Sequence, residues 1–341
     1  MPARVVFGVG RAAELAAEAE LLGVRRPLLL STPGRSAMLR AITKGLKAAG
    51  TYDKAVMHTP AHEVETARKL AEVSSADSCI AVGGGSTIGF AKAIALNLGL
   101  PIIAVPTTYS GSEMTTIWGV SEKGAKKTGR DPKVLPKVVI YDPQLTLELS
   151  PAASAASGMN AIAHCAEALY AHDGNPITSL MAEEGIRALA GALPAIMENP
   201  RDLEARGRAL YGAWLAGSTI STVSVALHHK LCHVLGGLGL PHAETHSVVL
   251  PHALHYNAKA AGDAMLRISR ALGAHGDAPG AMWDLQKRLG LPTALVDIGL
   301  KRVDIEKAAK TAVAAPYPNP RPVEYNAVLK LLNNAYEGNR P

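Results

Sequence analysis

The chain has 341 residues, with 35 basic and 29 acidic side chains and a formal net charge of +6. The basic residues are scattered apart from short pairs such as Arg25-Arg26 and Lys126-Lys127. This distribution argues against nucleic acid as a partner. No run of about 18 apolar residues and no signal-peptide pattern is present, so we expect a cytoplasmic protein without a membrane span.

The three cysteines, Cys79, Cys165 and Cys232, lie far apart in the sequence. Their odd number and wide spacing predict neither a disulfide framework nor a Cys-x-x-Cys metal site. We expect them to be buried packing residues in a reducing compartment.

The first 150 residues alternate short apolar runs with helical patterns. The apolar runs lie at residues 28–30, 55–57, 78–82, 101–106 and 138–141, and the helical patterns at 36–49, 64–73 and 88–98. This β-α-β-α order predicts a parallel sheet with helices on both faces. We therefore assign residues 1–150 to an α/β domain.

The pattern changes after residue 150. Long segments rich in Ala and Leu dominate, at residues 152–171, 178–196, 202–223, 262–272 and 278–289, with no convincing strand among them. We assign residues 151–341 to an all-α domain. No flexible linker separates the two domains, so we expect them to pack closely and form a cleft.

Two polar loops follow predicted strands in the first domain. Gly83-Gly84-Gly85-Ser86 lies between a buried strand and a helix, where free N–H groups and close backbone approach suit a pyrophosphate. A tight β–α turn is the alternative explanation. The second loop contains Thr107, Thr108, Ser110 and Ser112, whose hydroxyls can bind a phosphate, a ribose or an amide. Together the loops predict a nucleotide site at the strand ends.

A third glycine motif, Gly8-Val9-Gly10-Arg11-Ala12-Ala13, matches the dinucleotide-binding pattern G-x-G-x-x-A. It lacks an acidic residue about 20 positions further on, where Arg25, Arg26 and Pro27 stand instead. We interpret it as a turn near the N-terminus.

Six of the 12 histidines lie between Ala226 and Leu254: His228, His229, His233, His242, His246 and His252. His229 and His233 are four residues apart, which places both rings on one face of a helix. A glycine-rich break at residues 236–239 can turn the chain back toward that face. The density predicts a metal site or an acid–base pocket, and a polar helix face is the alternative. We expect His252 and His255, beyond a break at Pro251, to be structural.

Several motifs in a fixed order resemble those of iron-type (group III) alcohol dehydrogenases, with the closest likeness to maleylacetate reductases. They are K-K-T-G-R-D-P-K-V-L-P at 126–136, G-M-N-A-I-A-H-C-A-E-A at 158–168, L-H-H-K-L-C-H-V-L-G-G at 227–237, P-H-A-E-T-H at 241–246 and N-P-R-P-V at 319–323. The resemblance covers nearly the whole chain. It implies a dehydroquinate synthase-like fold, with a dinucleotide-binding α/β domain followed by a helical domain, and a homodimer.

The resemblance also implies a nicotinamide cofactor, NADH or NADPH. The residues that it places at this cofactor are Ser31, Thr32, Pro33, Gly83, Gly84, Gly85, Ser86, Thr107, Thr108, Ser110 and Lys127.

The likeness departs from metal-using relatives at one position. Their Asp-x-x-x-His and two later histidines map here to Asn160, His164, His229 and His242. Asn160 replaces the only anionic ligand with a neutral amide, which is a weak ligand for Fe²⁺ or Zn²⁺. We therefore expect no metal, with zinc held by the three histidines and Asn160 as the alternative.

The function implied is NAD(P)H-dependent reduction of maleylacetate, and of chloromaleylacetates, to 3-oxoadipate in the degradation of aromatic compounds. We expect the catalytic residues to be His164, His229, His233 and His242. We expect the residues that bind this small dicarboxylate to be Asn160, Lys230, Ser112 and Arg321. An amide at position 160 removes a charge that would repel the substrate. The alternatives are a metal-dependent alcohol dehydrogenase or aldehyde reductase of the same fold, and a non-catalytic nucleotide-binding protein.

Overall fold

A computed structural model describes residues 4–56, 59–122 and 125–341. The chain divides into two compact units, Met1–Leu149 and Ser150–Pro341. The first unit is an α/β unit built on a parallel sheet, and the second is helical, as the sequence predicts.

Six parallel strands form the sheet of the first unit, in the order β1-β8-β5-β4-β2-β3. These strands are β1 (Arg4–Phe7), β2 (Pro27–Leu30), β3 (Gly50–Tyr52), β4 (Ser78–Gly83), β5 (Ile102–Pro106) and β8 (Val138–Tyr141). The strands β2, β4, β5 and β8 are fully buried, which explains why each one is a continuous apolar run in the sequence.

Helices connect the strands, and one hairpin stands apart from the sheet. The helices are α1 (Leu15–Leu21), α2 (Ser36–Ile42), α3 (Ala61–Val73) and α4 (Gly85–Leu98). The hairpin pairs β6 (Ile117–Glu122) with β7 (Ala125–Arg130) in antiparallel register.

Several elements of this unit differ from those predicted from the sequence. The helix predicted at 36–49 ends at Ile42, ahead of a turn in which Gly45 adopts φ +94°. The third strand is Gly50–Tyr52 rather than 55–57, where Met57 lies outside the described residues. The prediction also missed β1 and the hairpin, because a four-residue edge strand and a half-exposed hairpin lack a long apolar run.

The turn at Gly8–Ala13 is held by a carboxylate of the protein itself. Both oxygens of Asp142 accept hydrogen bonds at 3.0 Å, one from the backbone N–H of Gly10 and one from that of Ala12. The donors that could have bound a phosphate are therefore occupied. This confirms the interpretation of the motif as a structural turn.

Nine α-helices make up the second unit, all of whose residues the structure describes. They are α5 (Pro151–Leu169), α6 (Pro176–Glu198), α7 (Leu203–Thr222), α8 (Leu227–Gly237), α9 (His242–Asn257), α10 (Gly262–Ala271), α11 (Ala278–Arg288), α12 (Ile305–Ala312) and α13 (Tyr325–Glu337). The five segments predicted as helical match α5, α6, α7, α10 and α11 within about two residues, the usual uncertainty of helix ends.

Side-chain caps and small residues explain why the longest helices form and pack. The side chains of Ser150, Asn175 and Asp202 cap the first turns of α5, α6 and α7 by accepting backbone N–H bonds. A Cβ at Gly185 of α6 would lie 2.7 Å from the sulfur of Cys165 on α5. A glycine at this position therefore allows α5 and α6 to approach closely.

The break predicted at Pro251 is wrong, because α9 continues through this residue to Asn257. His252 therefore lies in the same helix as His242 and His246. The neighbours Leu250 and Ala253 are fully buried, and this packing outweighs the hydrogen bond that a proline removes from a helix. The break predicted after α8 is confirmed, with Gly239 at φ +92°.

Among the described residues, no single helix has the length and apolar character needed to span a membrane. One bent pair, α7 with α8, meets the length and composition criteria when the two helices are taken together.

Candidate active site

The glycine loop after β4 lies beside the hydroxyl loop after β5. Gly83 pairs with Pro106 in the sheet, and the backbone N–H of Thr107 donates to the carbonyl of Gly83 at 3.1 Å. A Cβ at Gly84 would lie 2.8 Å from Cγ2 of Thr108. The structure therefore brings these predicted cofactor residues together at the carboxyl edge of the sheet, where α4 begins.

Lys92 of α4 holds the loop that follows β5. Its ammonium group is fully buried and lies 2.6–2.9 Å from the carbonyl oxygens of Ser112, Thr115 and Ile117 and from the hydroxyl of Thr115. Burial lowers the pKa of Lys92 to about 7, an effect that the carboxylate of Glu113 opposes. These bonds fix the loop against the helix that begins at the glycines.

The remaining residues predicted in this unit occupy different places. Ser31 is buried at the end of β2, next to β4 in the sheet, and Pro33 is exposed in the following turn. Ser112 donates its backbone N–H to the hydroxyl of Ser110 at 3.3 Å. Lys127 lies on β7, exposed and 3.4 Å from Glu122, in the separate two-stranded sheet.

In the second unit, five histidine rings form a connected group, and we call them the imidazole cluster: His164, His228, His229, His242 and His246. The ring of His246 is central, with centroids 4.4 Å from His242, 4.9 Å from His228 and 5.0 Å from His229. His164 of α5 stacks on His229 at 5.2 Å. Three helices therefore contribute to one pocket of imidazoles.

A buried carboxylate adjoins the imidazole cluster. Oε2 of Glu167 lies 2.7 Å from Nδ1 of His229 and accepts the backbone N–H of Ala226 at 2.9 Å. Its Oε1 accepts the backbone N–H of His228 at 2.9 Å. Glu167 thus caps the N-terminus of α8 and orients the second histidine of that helix.

Several polar atoms in this region are buried and have no hydrogen-bond partner among the described residues. They are Oδ1 of Asn160, Nδ1 of His164, Nδ1 of His228, Nε2 of His229 and Nε2 of His246. An unpaired buried polar group costs about 1–3 kcal/mol, so several together indicate a site for a polar ligand.

The other predicted residues of this unit lie at the surface. His233 and His242 are exposed, and the rings of His229 and His233 are 6.3 Å apart. The ammonium of Lys230 lies 5.8 Å from the ring of Tyr317. The guanidinium of Arg321 lies 4.4 Å above the ring of Tyr256, in cation–π contact.

Glu167 was not predicted from the sequence, and neither His228 nor His246 was assigned to the site. One signal was available, since Asn160, His164 and Glu167 are spaced i, i+4 and i+7 on an Ala-rich helix and share one face. No comparable signal predicts the hydrogen bond of 3.0 Å between Nε2 of His228 and Nδ1 of His246.

Burial sets the charge state of most of the imidazole cluster. It lowers the pKa of His164, His228 and His246 well below the ordinary value, and charges on neighbouring imidazoles lower it further. These three rings are therefore neutral near neutral pH. Burial also raises the pKa of Cys79 and Cys165 to about 12, which agrees with their predicted role in packing.

We expect His252 to make folding sensitive to acid. Burial, with a smaller effect from the charge of His255, lowers its pKa from 6.5 to about 4. Between these values the unfolded chain binds more protons than the folded one, so the free energy of unfolding falls as pH falls. The loss is about 3 kcal/mol for this side chain between pH 6.5 and 4.

Denaturant unfolding at pH 7 and at lower pH measures this effect. His252→Gln should reduce the dependence of the unfolding free energy on pH, whereas His275→Gln, at an exposed position, should leave it unchanged. An equal pH dependence in wild type and His252→Gln would contradict the prediction.

Two family models match the chain. "Iron-containing alcohol dehydrogenase" matches residues 2–143, and "Fe-containing alcohol dehydrogenase family, C-terminal" matches residues 154–336. The chain belongs to the iron-containing alcohol dehydrogenase family. It is therefore an oxidoreductase.

Relatives within the iron-containing alcohol dehydrogenase family are similar over nearly their full length. A maleylacetate reductase of Burkholderia cepacia is 54% identical, over 99% of this chain and 97% of the relative. A maleylacetate reductase of Sphingobium indicum is 55% identical, over 100% of this chain and 97% of the relative. The crystal structure of maleylacetate reductase from Agrobacterium tumefaciens has 48% identity and a TM-score of 0.96, over 100% of this chain and 97% of that chain.

The family name implies iron, and the structure allows a test of whether the residues present suit a metal. Among the described residues, the only three His, Cys, Asp or Glu side chains with donor atoms within 4.8 Å of one another are His228, Cys232 and His246. His164, His229 and His242 do not form such a group, and Asn160 adds only a neutral amide. This set lacks an anionic ligand of the kind that favours Fe²⁺, although three imidazoles can hold Zn²⁺.

A nicotinamide dinucleotide, by contrast, fits the first unit. At Gly84 and Gly85 an added Cβ would approach Thr108 and Ser110 to within 2.8 and 3.3 Å, so glycine at these positions lets the hydroxyl loop lie directly against the glycine loop. The loop leads into the first turn of α4, whose N–H groups suit phosphate oxygens.

Proposed function

We propose that the protein reduces maleylacetate to 3-oxoadipate with NADH or NADPH and without a metal ion. The observation that supports this most directly is that Asn160, which is uncharged, and His164 of the imidazole cluster both have buried polar atoms without a partner among the described residues. The relatives at 48–55% identity named above are maleylacetate reductases, which supports the choice of substrate.

Maleylacetate carries two carboxylates and a ketone conjugated to a C=C bond. Reduction adds a hydride to the carbon β to the ketone, a negative charge develops on the ketone oxygen, and a proton completes the product. Bound NADH or NADPH supplies the hydride. The protein must bind two anionic groups, stabilise the developing oxyanion and supply the proton.

The unpaired atoms of the second unit suit these tasks. The amide of Asn160 donates through its NH₂ group, and a neutral His164 donates through one ring nitrogen. Asn160 also adds no negative charge to oppose the substrate. We propose Asn160 and His164 as residues that bind the ketone oxygen, His229 as a catalytic residue whose Nε2 contacts the substrate, and His242 or His233, both exposed, as the proton donor.

We assign the substrate carboxylates to Lys230, Ser112 and Arg321, as proposals from the resemblance. For Arg321 this requires the guanidinium to leave Tyr256. The cofactor residues proposed are Ser31, Thr32, Pro33, Gly83, Gly84, Gly85, Ser86, Thr107, Thr108, Ser110 and Lys127. We also propose a cytoplasmic homodimer. The three free, buried cysteines suit a reducing compartment.

Metal removal tests the central part of this proposal. We expect the purified enzyme to contain no stoichiometric transition metal, and to keep its rate of maleylacetate reduction after chelation and exchange into metal-free buffer. The measurement is the loss of nicotinamide absorbance on addition of maleylacetate, alongside elemental analysis of the same sample.

A substrate panel is run as the comparison. Chloromaleylacetates should be reduced, while primary alcohols, diols and aldehydes should give no measurable turnover in either direction. Activity that disappears on chelation and returns with Fe²⁺ or Zn²⁺ would instead establish a metal-dependent alcohol dehydrogenase. Cofactor binding without turnover of any of these compounds would make the protein a nucleotide-binding protein.

A further inference from the structure

The environment of Glu167 differs from that of an ordinary buried carboxylate. Its side chain is fully buried, yet both oxygens are paired: Oε1 with the N–H of His228, and Oε2 with the N–H of Ala226 and Nδ1 of His229. A third N–H of this turn, that of Leu227, donates to Asn319 at 3.3 Å. The first turn of α8 is therefore closed by side chains from outside the helix.

These contacts determine which nitrogen of His229 carries a proton. An ionised carboxylate only accepts hydrogen bonds, so at 2.7 Å Nδ1 of His229 must be the donor. Nε2 lies on the opposite side of the ring and is buried without a partner among the described residues. Glu167 thus fixes both the tautomer and the plane of the ring.

We propose that Glu167 is a positioning residue for maleylacetate reduction, which holds His229 with Nδ1 protonated and Nε2 directed away from the carboxylate to contact the substrate. This assignment rests on the proposed function for its substrate, but its structural part concerns the free protein. Glu167 acts through His229 and does not itself contact the reacting atoms.

The charge of Glu167 is compatible with an anionic substrate because it is balanced locally. Two backbone N–H groups at the positive end of the α8 dipole bind this carboxylate. The carboxylate contacts Nδ1 of His229, so the imidazole ring separates it from whatever binds at the unpaired Nε2. A carboxylate at position 160 would lack this arrangement. The chain therefore keeps a carboxylate behind the imidazole while it has lost the one that metal-using relatives carry.

Glu167→Gln tests the proposal. An amide has one acceptor oxygen, so its NH₂ group must face either the N–H of His228 or the donors of Ala226 and His229. We expect kcat for maleylacetate to fall by about 10²–10⁴-fold, as for loss of a correctly oriented acid–base group, with the Kd for NADH unchanged.

A double-mutant comparison separates positioning from general destabilisation. His229→Asn keeps an amide donor for Glu167 but removes Nε2. If Glu167 acts through His229, adding Glu167→Gln to His229→Asn should lower kcat no further. A second loss of similar size in the double variant would overturn the proposal, as would wild-type kcat in Glu167→Gln.

Nitrogen-15 NMR of histidine-labelled free protein tests the tautomer independently of any substrate. We expect a strongly deshielded Nδ1–H resonance that His229→Asn and Glu167→Gln remove and that Tyr170→Phe retains. The hydroxyl of Tyr170 donates to Oε1 of the same carboxylate at 3.5 Å, whereas His229 contacts Oε2, and Tyr170→Phe should also keep wild-type kcat. A proton on Nε2 alone would overturn the assignment.

Failure of the proposed function gives a different result. In that case wild-type protein does not reduce maleylacetate with either nicotinamide, while the Nδ1–H resonance and its loss in Glu167→Gln are still observed.

Discussion

Asn160→Asp is expected to lower kcat/KM for maleylacetate by about a thousandfold. An ionised carboxylate about 4 Å from a substrate carboxylate is repelled by about 4 kcal/mol at an effective dielectric constant of 20, and this energy corresponds to about three orders of magnitude. Asn160 is 6% exposed, so water screens little of this repulsion. Steady-state kinetics above neutral pH, where the new side chain is ionised, measures the effect.

A matched substitution controls for the added charge. Asn175→Asp introduces the same group at the exposed N-cap of α6, where aspartate caps as well as asparagine, and should leave kcat/KM unchanged. Asn160→Asp also adds an anionic metal ligand beside His164, so its zinc and iron content should be measured. Undiminished maleylacetate reduction by Asn160→Asp would contradict the electrostatic role assigned to this amide.

Gly84→Val is expected to raise the Kd for NADH or NADPH by about 10²–10³-fold. The new side chain would collide with Thr108 and force the hydroxyl loop away from the first turn of α4. Loss of two hydrogen bonds to a charged phosphate, at about 1.5–3 kcal/mol each, accounts for this change. Titration of the fluorescence of the reduced nicotinamide measures the Kd directly.

The control for this substitution is Gly191→Val, at an exposed position of α6 where an added Cβ meets no atom within 4 Å. It should bind NADH as wild type does. An unchanged Kd in Gly84→Val would show that the glycine loop is only a tight turn between β4 and α4. Thermal unfolding of both variants checks that the protein remains folded.

The parallel sheet could be predicted because its central strands are buried on both faces. Segments such as Cys79–Val82 and Ile102–Val105 must be continuously apolar, and glycine or proline bounds them. The edge strand Arg4–Phe7 escaped prediction because, among the described residues, one side of it pairs with no strand, and because its partly exposed residues interrupt the apolar pattern.

Local sequence rules predict the ends of helices correctly where the tertiary packing agrees with them, and they fail where it does not. Ser150 with Pro151 marks the start of α5 in the sequence as it does in the structure. At Pro251 the local rule predicts a break, but the buried neighbours of this proline keep the helix continuous. A proline in a helix interior costs about 3 kcal/mol relative to alanine. The free energy gained by burying several neighbouring side chains exceeds this cost.

The sequence by itself determined the glycine and hydroxyl loops, the histidine-rich segment and the neutral residue at position 160, because each depends on residue type and local spacing. Only the tertiary structure decided that Glu167 holds His229 and that His246 joins three other imidazoles. Glu167 binds backbone N–H groups that become available only when α8 forms and its first turn meets α5. A partner chosen by packing across about 60 residues of chain leaves no periodic signal in the sequence.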